Sequence, residues 1–269
     1  MGWLYPVIIF FESAQIKSQL RGLSILMKRL LKWFVILTII APISVGTVMG
    51  YAKGWPPNWK EANWGSSGVL PTAASVQPAT VIILASRTGR WKGIFAEHMS
   101  IVMKPEGATQ WTRYDVEGWG NPVRKDAFAP DAFWYGNTPR IIYRKDGETA
   151  AKLIPAIEAS IAAYPYQTKG TYHVWPGPNS NTFVSWVVRH TNGLDTELPP
   201  VAVGKDWLGW AGYDVAPSKT GYSFSIAGLI GGTIALKEGV ELHLLGSTIG
   251  IDPDDLAIKL PALGKLSLL

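Results

Sequence analysis

The feature that most constrains this chain is an uncharged run of 20 residues, Trp33–Ala52, with the sequence WFVILTIIAPISVGTVMGYA. A helix of that length crosses a bilayer core of about 30 Å. Pro42 and the small residues around Gly46 are tolerated in a spanning helix. The run therefore predicts a transmembrane anchor over residues 30–52, and the lipid bilayer is the first predicted partner.

Basic residues set the predicted orientation of this anchor. Lys28, Arg29 and Lys32 precede the apolar run, and such residues are enriched at the cytoplasmic ends of spanning helices. We therefore predict a single-pass protein of the bacterial inner membrane whose C-terminal domain lies in the periplasm. A cleaved signal peptide is the alternative, but the bulky Met49 and Tyr51 stand where a cleavage site needs small residues.

Residues 1–26 are interpreted as a doubtful N-terminal extension. The first 12 residues, MGWLYPVIIFFE, are apolar but too short to span a bilayer. Met27 begins the segment MKRLLKWF, which is typical of the start of an exported bacterial protein. Two interpretations stay open: translation starts at Met27, or the extension is an interfacial segment on the cytoplasmic face.

The formal net charge of +5 does not indicate nucleic-acid binding, because of where the charge lies. Basic residues are concentrated in the first 60 positions, where Glu12 is the single acidic residue, and the rest of the chain is close to neutral. A nucleic-acid-binding protein carries its basic patch on the folded surface. We therefore expect no nucleic-acid partner.

The chain contains no cysteine. This excludes disulfides, thiolate-bound metals, iron–sulfur clusters and cysteine nucleophiles. The sequence also has no HExxH motif and no glycine-rich nucleotide fingerprint. We predict no metal and no cofactor.

Residues 53–79 are rich in Trp, Pro, Gly and Ser, which is typical of a juxtamembrane linker. Trp55, Trp59 and Trp64 are then expected at the level of the lipid headgroups. The alternative is that these rings cover the edge of the folded domain. A single domain is predicted over residues 80–269.

Apolar periodicity predicts an α+β fold for this domain, because strands precede and follow two helices. The predicted strands are Thr80–Ser86, Trp91–Lys104, Trp111–Glu117, Arg140–Arg144, Tyr222–Ala227 and Val240–Leu245, with a loop over residues 118–138. The first predicted helix is Glu148–Tyr164, in which Pro155 marks a kink or a late start. The second helix opens at Asn179-Ser180-Asn181.

The segment Tyr172–Phe183, YHVWPGPNSNTF, is the densest unusual stretch of the sequence. Asn and Ser are preferred N-caps, so the first interpretation of Asn179-Ser180-Asn181 is a structural cap. The functional interpretation is that the free N–H groups of the helix N-terminus stabilise an oxyanion beside the Ser180 hydroxyl. Composition alone favours the cap.

Much of the chain beyond the anchor resembles an uncharacterised family of alphaproteobacterial membrane-anchored proteins, the domain of unknown function numbered 3750. The resemblance is carried by NWGSSGVLP (63–71), TGRWKGIFAEHMSIVMK (88–104), RYDVEGWGNPV (113–123), WPGPNSNTF (175–183), LPPVAVGKDW (198–207), EGVELHLLG (238–246) and IKLPALG (258–264). It implies no known activity.

The order of two segments is also similar to that in circularly permuted papain-like enzymes, relatives of NlpC/P60 peptidases and lecithin–retinol acyltransferases. In those enzymes an early strand carries His, and a later Asn-Cys-x-x-Phe segment opens the helix of the nucleophile. Here His98 directly precedes MSIVMK, and Asn179-Ser180-Asn181-Thr182-Phe183 opens a helix. Ser180 stands in the cysteine position, and a hydroxyl needs a base to become a nucleophile.

This resemblance implies a permuted papain-like domain in which a small antiparallel sheet packs on helices. Its catalytic residues would be Ser180 as nucleophile, His98 as base and Asp115 as the group that orients the base. A lone His on an apolar strand is more often a hydrogen-bonded core residue, so a structural role for His98 stays open. His173 is a competing partner for Ser180, whereas His190 and His243 are expected to be structural.

Six residues are predicted to bind substrate: Asn179, Asn181, His173, Trp175, Arg87 and Arg90. Arg87 and Arg90, with Lys92, form a cationic turn that either meets phosphate or lipid headgroups or is simply solvated. The first function hypothesis is an amide or ester hydrolase, or an acyltransferase, that acts on a peptidoglycan peptide or an acyl lipid of the cell envelope. The second is a non-catalytic envelope binding module or a structural subunit of a membrane complex.

Overall fold

The structure is a computed structural model that describes residues 5–54 and 58–268, with side chains from residue 19 onward. The chain divides into two compact units, and the boundary in the sequence falls between Pro42 and Ile43. Trp55, one of the three tryptophans predicted to lie near the headgroups, falls outside the described residues.

The described residues up to Ala52 are helical, and they include the first ten residues of the larger unit. Helix α1 covers Tyr5–Val35, a π-helical turn covers Ile36–Ile40, and helix α2 begins at Ala41 and ends at Ala52. Pro42 has no N–H to donate to the carbonyl of Thr38, and a π-helical turn at this point accommodates the missing hydrogen bond. Within Gln19–Ala52 an 18-residue window has a mean hydropathy of 2.0, so the length and composition of this segment are sufficient to cross a membrane.

A five-stranded antiparallel sheet forms the first half of the larger unit. Its strands are β1 (Thr80–Arg87), β2 (Glu97–Lys104), β3 (Thr112–Val116), β4 (Val123–Lys125) and β5 (Arg140–Asp146). They lie in the order β4-β3-β2-β1-β5. The short strand β4 lies in the segment predicted as a loop, 118–138.

Three helices accompany this sheet: α3 (Lys92–Phe95), α4 (Glu148–Ala162) and α5 (Ser180–His190). A 3₁₀ turn at Ala73–Ser75 precedes β1. Helices α4 and α5 bury apolar side chains such as Ile157 and Phe183 against one face of the sheet, next to Met99 and Ile101 of β2. Pro155 lies inside α4, which begins at Glu148 as predicted.

The predicted strand Trp91–Lys104 is wrong in its first part, where Lys92–Phe95 is helical. The reason is a tight turn: the Arg87 guanidinium donates hydrogen bonds to the carbonyl oxygens of Gly93 and Ile94 at 3.3 and 3.0 Å. A Cβ atom at Gly93 would lie 2.4 Å from the Thr88 carbonyl oxygen, so only glycine fits this close approach.

The segment predicted as a linker contributes to the folded unit. Leu70 and Val69 pack on Ile82 and Leu84, on the sheet face opposite to α4 and α5. Both Trp59 and Trp64 lie within ring-contact distance of Trp134, at centroid separations of 6.2 and 5.1 Å. These two tryptophans therefore cover an edge of the folded unit, which was the alternative to a position at the headgroups.

The C-terminal part is a second antiparallel sheet, of which the sequence pattern predicted two strands. Seven strands run in chain order: β6 (Ala211–Val215), β7 (Gly221–Ile226), β8 (Ile230–Ala235), β9 (Gly239–Leu244), β10 (Ser247–Asp252), β11 (Ala257–Leu260) and β12 (Gly264–Ser267). Glycines that read as turns lie within strands here. A Cβ atom at Gly232 of β8 would lie 2.9 Å from the Phe224 ring, so the absent side chain makes room for that ring.

The second sheet exposes apolar side chains on one face and buries polar ones on the other, the reverse of the usual distribution. Its outer face exposes apolar side chains, among them Phe224, Ile226 and Ile234. Its inner face buries polar and charged side chains, which include Glu241, His243 and Lys259. An exposed apolar face of this kind is typical of an interaction surface.

Candidate functional site

The candidate site is a cleft of about 630 Å³ in the larger unit. Several of its lining side chains are aromatic, namely Trp59, Trp91, Phe95, Trp119, Trp134, Tyr135, Tyr172 and Trp175. The polar groups that line it are Thr88, Lys92, Glu97, His98, Glu117, Asn179, Ser180, Asn181 and Ser247. A largely apolar cleft with a few convergent polar groups is typical of a ligand or active site.

The N-terminus of α5 carries a complete capping box. Asn179 Oδ1 accepts hydrogen bonds from the N–H groups of Asn181 and Thr182 at 2.9 and 3.2 Å. In return, Thr182 Oγ1 accepts from the N–H of Asn179 at 3.1 Å. The capping interpretation is therefore confirmed for Asn179, whose amide group also donates to the carbonyl oxygens of Val174 and Val203.

This cap leaves one backbone donor of the first helical turn open. The N–H groups of Asn181 and Thr182 are used by the cap, and that of Phe183 donates to the Asn179 carbonyl oxygen at 3.0 Å. Within the described residues, neither the N–H nor the Oγ of Ser180 has a hydrogen-bond partner. A developing oxyanion would therefore accept a hydrogen bond from the N–H of Ser180 and not from the other N–H groups of the first helical turn.

The side chain of Asn181 ties the start of α5 to strand β2. Its Nδ2 donates to the Glu97 carbonyl oxygen at 2.8 Å, and its Oδ1 accepts from the Met99 N–H at 3.1 Å. These two backbone groups flank His98 on either side. The amide of Asn181 thus bridges His98 along the strand and holds Ser180, its own neighbour, at the same end of the cleft.

His98 is hydrogen-bonded to an ionised carboxylate. Its Nε2 lies 2.8 Å from Asp115 Oδ1, and Arg113 donates to both oxygens of Asp115 at 2.7 and 2.9 Å. The pairing of Val102 with Arg113 puts residues 98, 113, 115 and 117 on one face of the sheet, because side chains alternate along strands. The three side chains form a buried chain from Arg113 to the ring of His98.

The charge state of this chain follows from its surroundings. Burial alone would raise the pKa of Asp115, but the charge of Arg113 and the hydrogen bonds from His98 and Arg113 lower it to about 2. Burial lowers the pKa of His98, although Asp115 opposes this shift. His98 is therefore neutral at pH 7, with its proton on Nε2 facing Asp115 and a lone pair on Nδ1.

His98 is also held by a ring contact that the sequence did not predict. The indole of Trp134 stacks on the imidazole with centroids 3.6 Å apart and planes 8° apart. Stacking and the bond to Asp115 fix the orientation of the ring. Among the described residues, no hydrogen bond joins His98 Nδ1 to Ser180 Oγ, and catalytic hydrogen bonds are often long before substrate binds.

Two further carboxylates line the cleft. Glu97 is paired with Arg140 at 2.9 Å and with Arg87 at 3.4 Å. Burial raises the pKa of Glu97, which the two arginines partly offset. Burial likewise raises the pKa of Glu117, to about 7, and the neighbouring Asp115 adds to the rise.

The remaining predicted site residues lie around the cleft or away from it. Trp175 lines the cleft, and its Nε1 donates to the Leu245 carbonyl oxygen at 2.9 Å. His173 is exposed and is not one of the residues that line the cleft. Arg87 and Arg90 line a separate cavity of about 210 Å³, so the structure does not bring them into contact with the group around Ser180.

Four residues of the site were missed by sequence reasoning: Glu97, Arg113, Glu117 and Trp134. A signal for two of them was present. The strand TRYDVE carries charges at positions 113, 115 and 117, so a half-buried strand presents three charges on one face. Trp134 gave no such signal, because it lies in an irregular segment far from His98 in sequence.

Among the described residues, three carboxylates lie close enough together to hold a metal ion: Glu197, Asp252 and Asp255. The ammonium group of Lys265 lies among them, 2.7 Å from Glu197 and 2.6 Å from Asp252. Lys265 also pairs with Asp255. The lysine supplies the positive charge that a metal ion would bring, so this group is an ion-pair cluster.

Residues 78–207 match the model of a family described as "Protein of unknown function (DUF3750)". The matched segment spans the first sheet, α4, α5 and every predicted site residue, whereas the second sheet lies outside it. This match supports the resemblance to an uncharacterised domain family. Comparison with curated proteins found no match, and neither did comparison with solved structures.

Proposed function

We propose that this protein is a membrane-anchored hydrolase or acyltransferase that cleaves an amide or ester of the cell envelope. Ser180 is the nucleophile, His98 the general base, and Asp115 the residue that orients His98. Two observations support this proposal. The side chain of Asn181, next to Ser180, binds the backbone on both sides of His98, and Ser180 and His98 line the same cleft.

The chemistry follows from these groups. Ser180 Oγ attacks the carbonyl carbon of the substrate while its proton moves to His98 Nδ1, and the carbonyl π electrons move to the oxygen. The N–H of Ser180 donates to that oxyanion. When the tetrahedral intermediate collapses, the leaving amine or alcohol takes the proton from His98. Water, or an acceptor hydroxyl or amine, then repeats the sequence on the acyl group and frees Ser180.

Asp115 supports both proton transfers. Because Arg113 keeps Asp115 ionised, the carboxylate stabilises the imidazolium that forms when His98 takes the proton. The same carboxylate holds the proton of neutral His98 on Nε2, which leaves Nδ1 free to act as base. These roles follow the resemblance to permuted papain-like enzymes, with serine proposed in place of cysteine.

The proposal is tested by labelling with a fluorophosphonate probe, which reacts with activated serines. The full-length protein in detergent is expected to gain one covalent adduct by intact mass. Ser180→Ala and His98→Gln should abolish labelling, whereas Ser247→Ala, which removes another hydroxyl of the cleft, should not. Absence of labelling in the folded wild type, or labelling that survives Ser180→Ala, would overturn the proposal.

A non-catalytic envelope binding module is the second candidate, and two observations favour it. The cap at α5 uses the N–H groups of Asn181 and Thr182, so a single donor faces an oxyanion. The cleft is also rich in aromatic side chains, which are common anchors in binding sites. A folded protein that binds envelope extracts but is unlabelled by the probe supports this candidate.

For membrane attachment, we propose that Gln19–Ala52 anchors the protein with its basic N-terminal side in the cytoplasm and the residues beyond Ala52 in the periplasm. Alkaline carbonate treatment of membranes should leave the intact protein in the pellet. External protease added to spheroplasts should digest the part of the chain beyond Ala52. Release of intact protein by carbonate would exclude the anchor, and protection from protease would exclude the orientation.

A further inference from the structure

Glu117 is a buried carboxylate with an unpaired oxygen at the cleft. Its side chain follows directly after β3, lies on the same sheet face as Asp115, and is 4% exposed. Within the described chain, Oε1 has no hydrogen-bond partner although it is shielded from solvent. A buried carboxylate oxygen without a partner is costly, so such a group usually has a ligand or a function.

The neighbouring arginines do not satisfy this oxygen. Arg113 donates to both oxygens of Asp115 and to the carbonyl oxygens of Ala129 and Pro130, so four of its five N–H donors are used away from Glu117. Arg124 donates to the Trp119 carbonyl oxygen and makes no ion pair with Glu117 among the described residues. The charges of Arg124 and Arg113 are near enough to lower the pKa of Glu117, and within the residues described Arg124 Nε is itself buried without a partner. In the described part of the chain, however, neither arginine forms an ion pair with Glu117, whose carboxylate lines the cleft.

Aromatic rings surround the same part of the cleft. Trp119 lies two residues beyond Glu117, and its ring is 4.8 Å from that of Trp59, edge to face. The ring of Tyr172 approaches Gly118, where a Cβ atom would lie 3.1 Å from it. All three rings line the cleft together with Glu117. Aromatic faces around a carboxylate attract alkylammonium groups through cation–π and ionic interactions.

We propose that Glu117 and the rings of Trp59, Trp119 and Tyr172 form a subsite for an alkylammonium group, so that the substrate carries a cationic amine near its scissile amide or ester. This proposal rests on the proposed function for its reference to a scissile bond, but the subsite itself binds amines whether or not Ser180 reacts. The ligand group is an ammonium group on an apolar chain, and two kinds of amine contain such a group. These are a primary amine, as in a peptide side chain, and a quaternary amine, as in a lipid headgroup.

Proton linkage gives this subsite a measurable signature. Because the pKa of Glu117 is about 7, part of the population is protonated at pH 6.5, and binding of a cation releases that proton. Asp115 raises the pKa of Glu117, whereas Arg124 and Arg113 lower it. Tyr172 faces the same carboxylate but stays protonated, because burial raises its pKa to about 12. Amine affinity should therefore increase from pH 5 to pH 8.

The experiment is calorimetric titration of the full-length protein in lipid nanodiscs, with empty nanodiscs as the blank. The probes are n-butylamine, butyltrimethylammonium and the neutral 1-butanol, at pH 6.5 in two buffers of different ionisation enthalpy. The two buffers report the number of protons released. We expect one or both cations to bind with proton release, and 1-butanol to bind at least about tenfold more weakly. Preference between the two cations identifies the source of the amine.

Variants separate this inference from the proposed function. Glu117→Gln should weaken cation binding at least about tenfold and remove the proton release, with 1-butanol unaffected. Ser180→Ala should bind the cations as the wild type does. If fluorophosphonate labelling fails while amine binding persists, the hydrolase proposal falls and the subsite stands. Equal binding of 1-butanol and the amines by the wild type, or no amine binding, overturns the subsite without use of a variant. So does unchanged amine binding in Glu117→Gln.

Discussion

Two buried histidines on apolar strands, His98 and His243, have different surroundings. His98 bonds to the ionised Asp115 through Nε2, and its other face opens on the cleft. His243 in β9 bonds to neutral hydroxyls at both nitrogens: Thr233 at 2.9 Å and Thr248 at 3.1 Å. Burial lowers the pKa of both. Nε2 of His243 also lies 3.5 Å from Glu241 Oε2, so a carboxylate neighbour is common to both. A direct hydrogen bond to the carboxylate and access to a cleft therefore distinguish the candidate base from the structural histidine.

The charges around the two histidines differ in the same way. Next to His243, Glu241 is paired with Lys205 at 3.1 Å and with Lys259 at 2.9 Å, and little space is left between these groups. Next to His98, Glu117 keeps an unpaired oxygen at a large cleft. We call Glu241, Lys205, Lys259 and His243 the sealed cluster, and His98, Asp115, Arg113 and Glu117 the open cluster. Paired charges without access to solvent stabilise the fold, whereas an unpaired group on a cleft is available to a ligand.

The largest effect is expected for Glu241→Ala in the sealed cluster. Removal of this carboxylate leaves two buried lysines without their main counter-charge, so the free energy of unfolding should fall by about 3–5 kcal/mol. Urea unfolding of the detergent-solubilised protein, followed by far-UV circular dichroism, measures the change. As a control, Glu148→Ala removes an exposed partner of Lys152 and should cost less than about 1 kcal/mol. Similar costs for the two variants would contradict the distinction between sealed and exposed charges.

Asp115→Asn tests the open cluster and should change reactivity as well as stability. The amide no longer fixes the proton of His98 on Nε2, so labelling of Ser180 should slow by about 10²–10⁴-fold. Loss of the charged hydrogen bonds to Arg113 should lower the free energy of unfolding by about 2–3 kcal/mol. Since the folded pKa of Asp115 is about 2, its contribution is present above pH 4 and is lost as pH falls toward 2.

The control for this variant is Glu241→Gln, which perturbs the sealed cluster. It should leave the rate of Ser180 labelling in the folded fraction unchanged. Among the described residues, the polar partners of Glu241 are Lys205, Lys259 and His243, none of which lines the cleft. If Asp115→Asn labels at the wild-type rate while it remains folded, Asp115 does not orient His98. The open cluster would then be structural, like the cluster around Glu241.

The sequence predicts those features of the fold and site that depend on neighbouring residues. The helix limits and the Asn179 cap follow from local patterns, because capping and apolar spacing act within a few residues. The alternation that places His98 and Asp115 on neighbouring strands is equally local. The second sheet was mostly missed, because its glycines read as turns and its buried face is polar, the reverse of the usual pattern.

Features that join distant segments could not be predicted. The stacking of Trp134 on His98 and the bridge from Asn181 to β2 each depend on a particular packing of irregular chain. Trp64, in the segment predicted as a linker, likewise packs on Trp134, which lines the cleft. Such contacts leave no periodic signal, since aromatic residues in a Pro- and Gly-rich segment are equally typical of a linker.

Glu117→Gln is expected to stabilise the protein, with an effect that depends on pH. The folded pKa of Glu117, about 7, lies above its ordinary value, so the folded state loses stability as pH rises from about 4.5 through 7. Glutamine carries no charge and avoids this cost. The variant should therefore match the wild type near pH 4 and be more stable by about 2 kcal/mol at pH 8. Urea unfolding at both pH values measures this, and an equal difference at the two would contradict an unpaired Glu117.

The smallest effect is expected for His243→Gln, and its comparison with His98→Gln returns to the two histidines. Glutamine can keep one of the two hydroxyl hydrogen bonds of His243, so the free energy of unfolding should fall by about 1–2 kcal/mol. Ser180 should still label at the wild-type rate, because His243 faces the sealed cluster. His98→Gln should instead remove labelling in a folded protein. Loss of labelling in both variants would mean that reactivity reports the integrity of the whole fold, and the distinction between the two histidines would then fail.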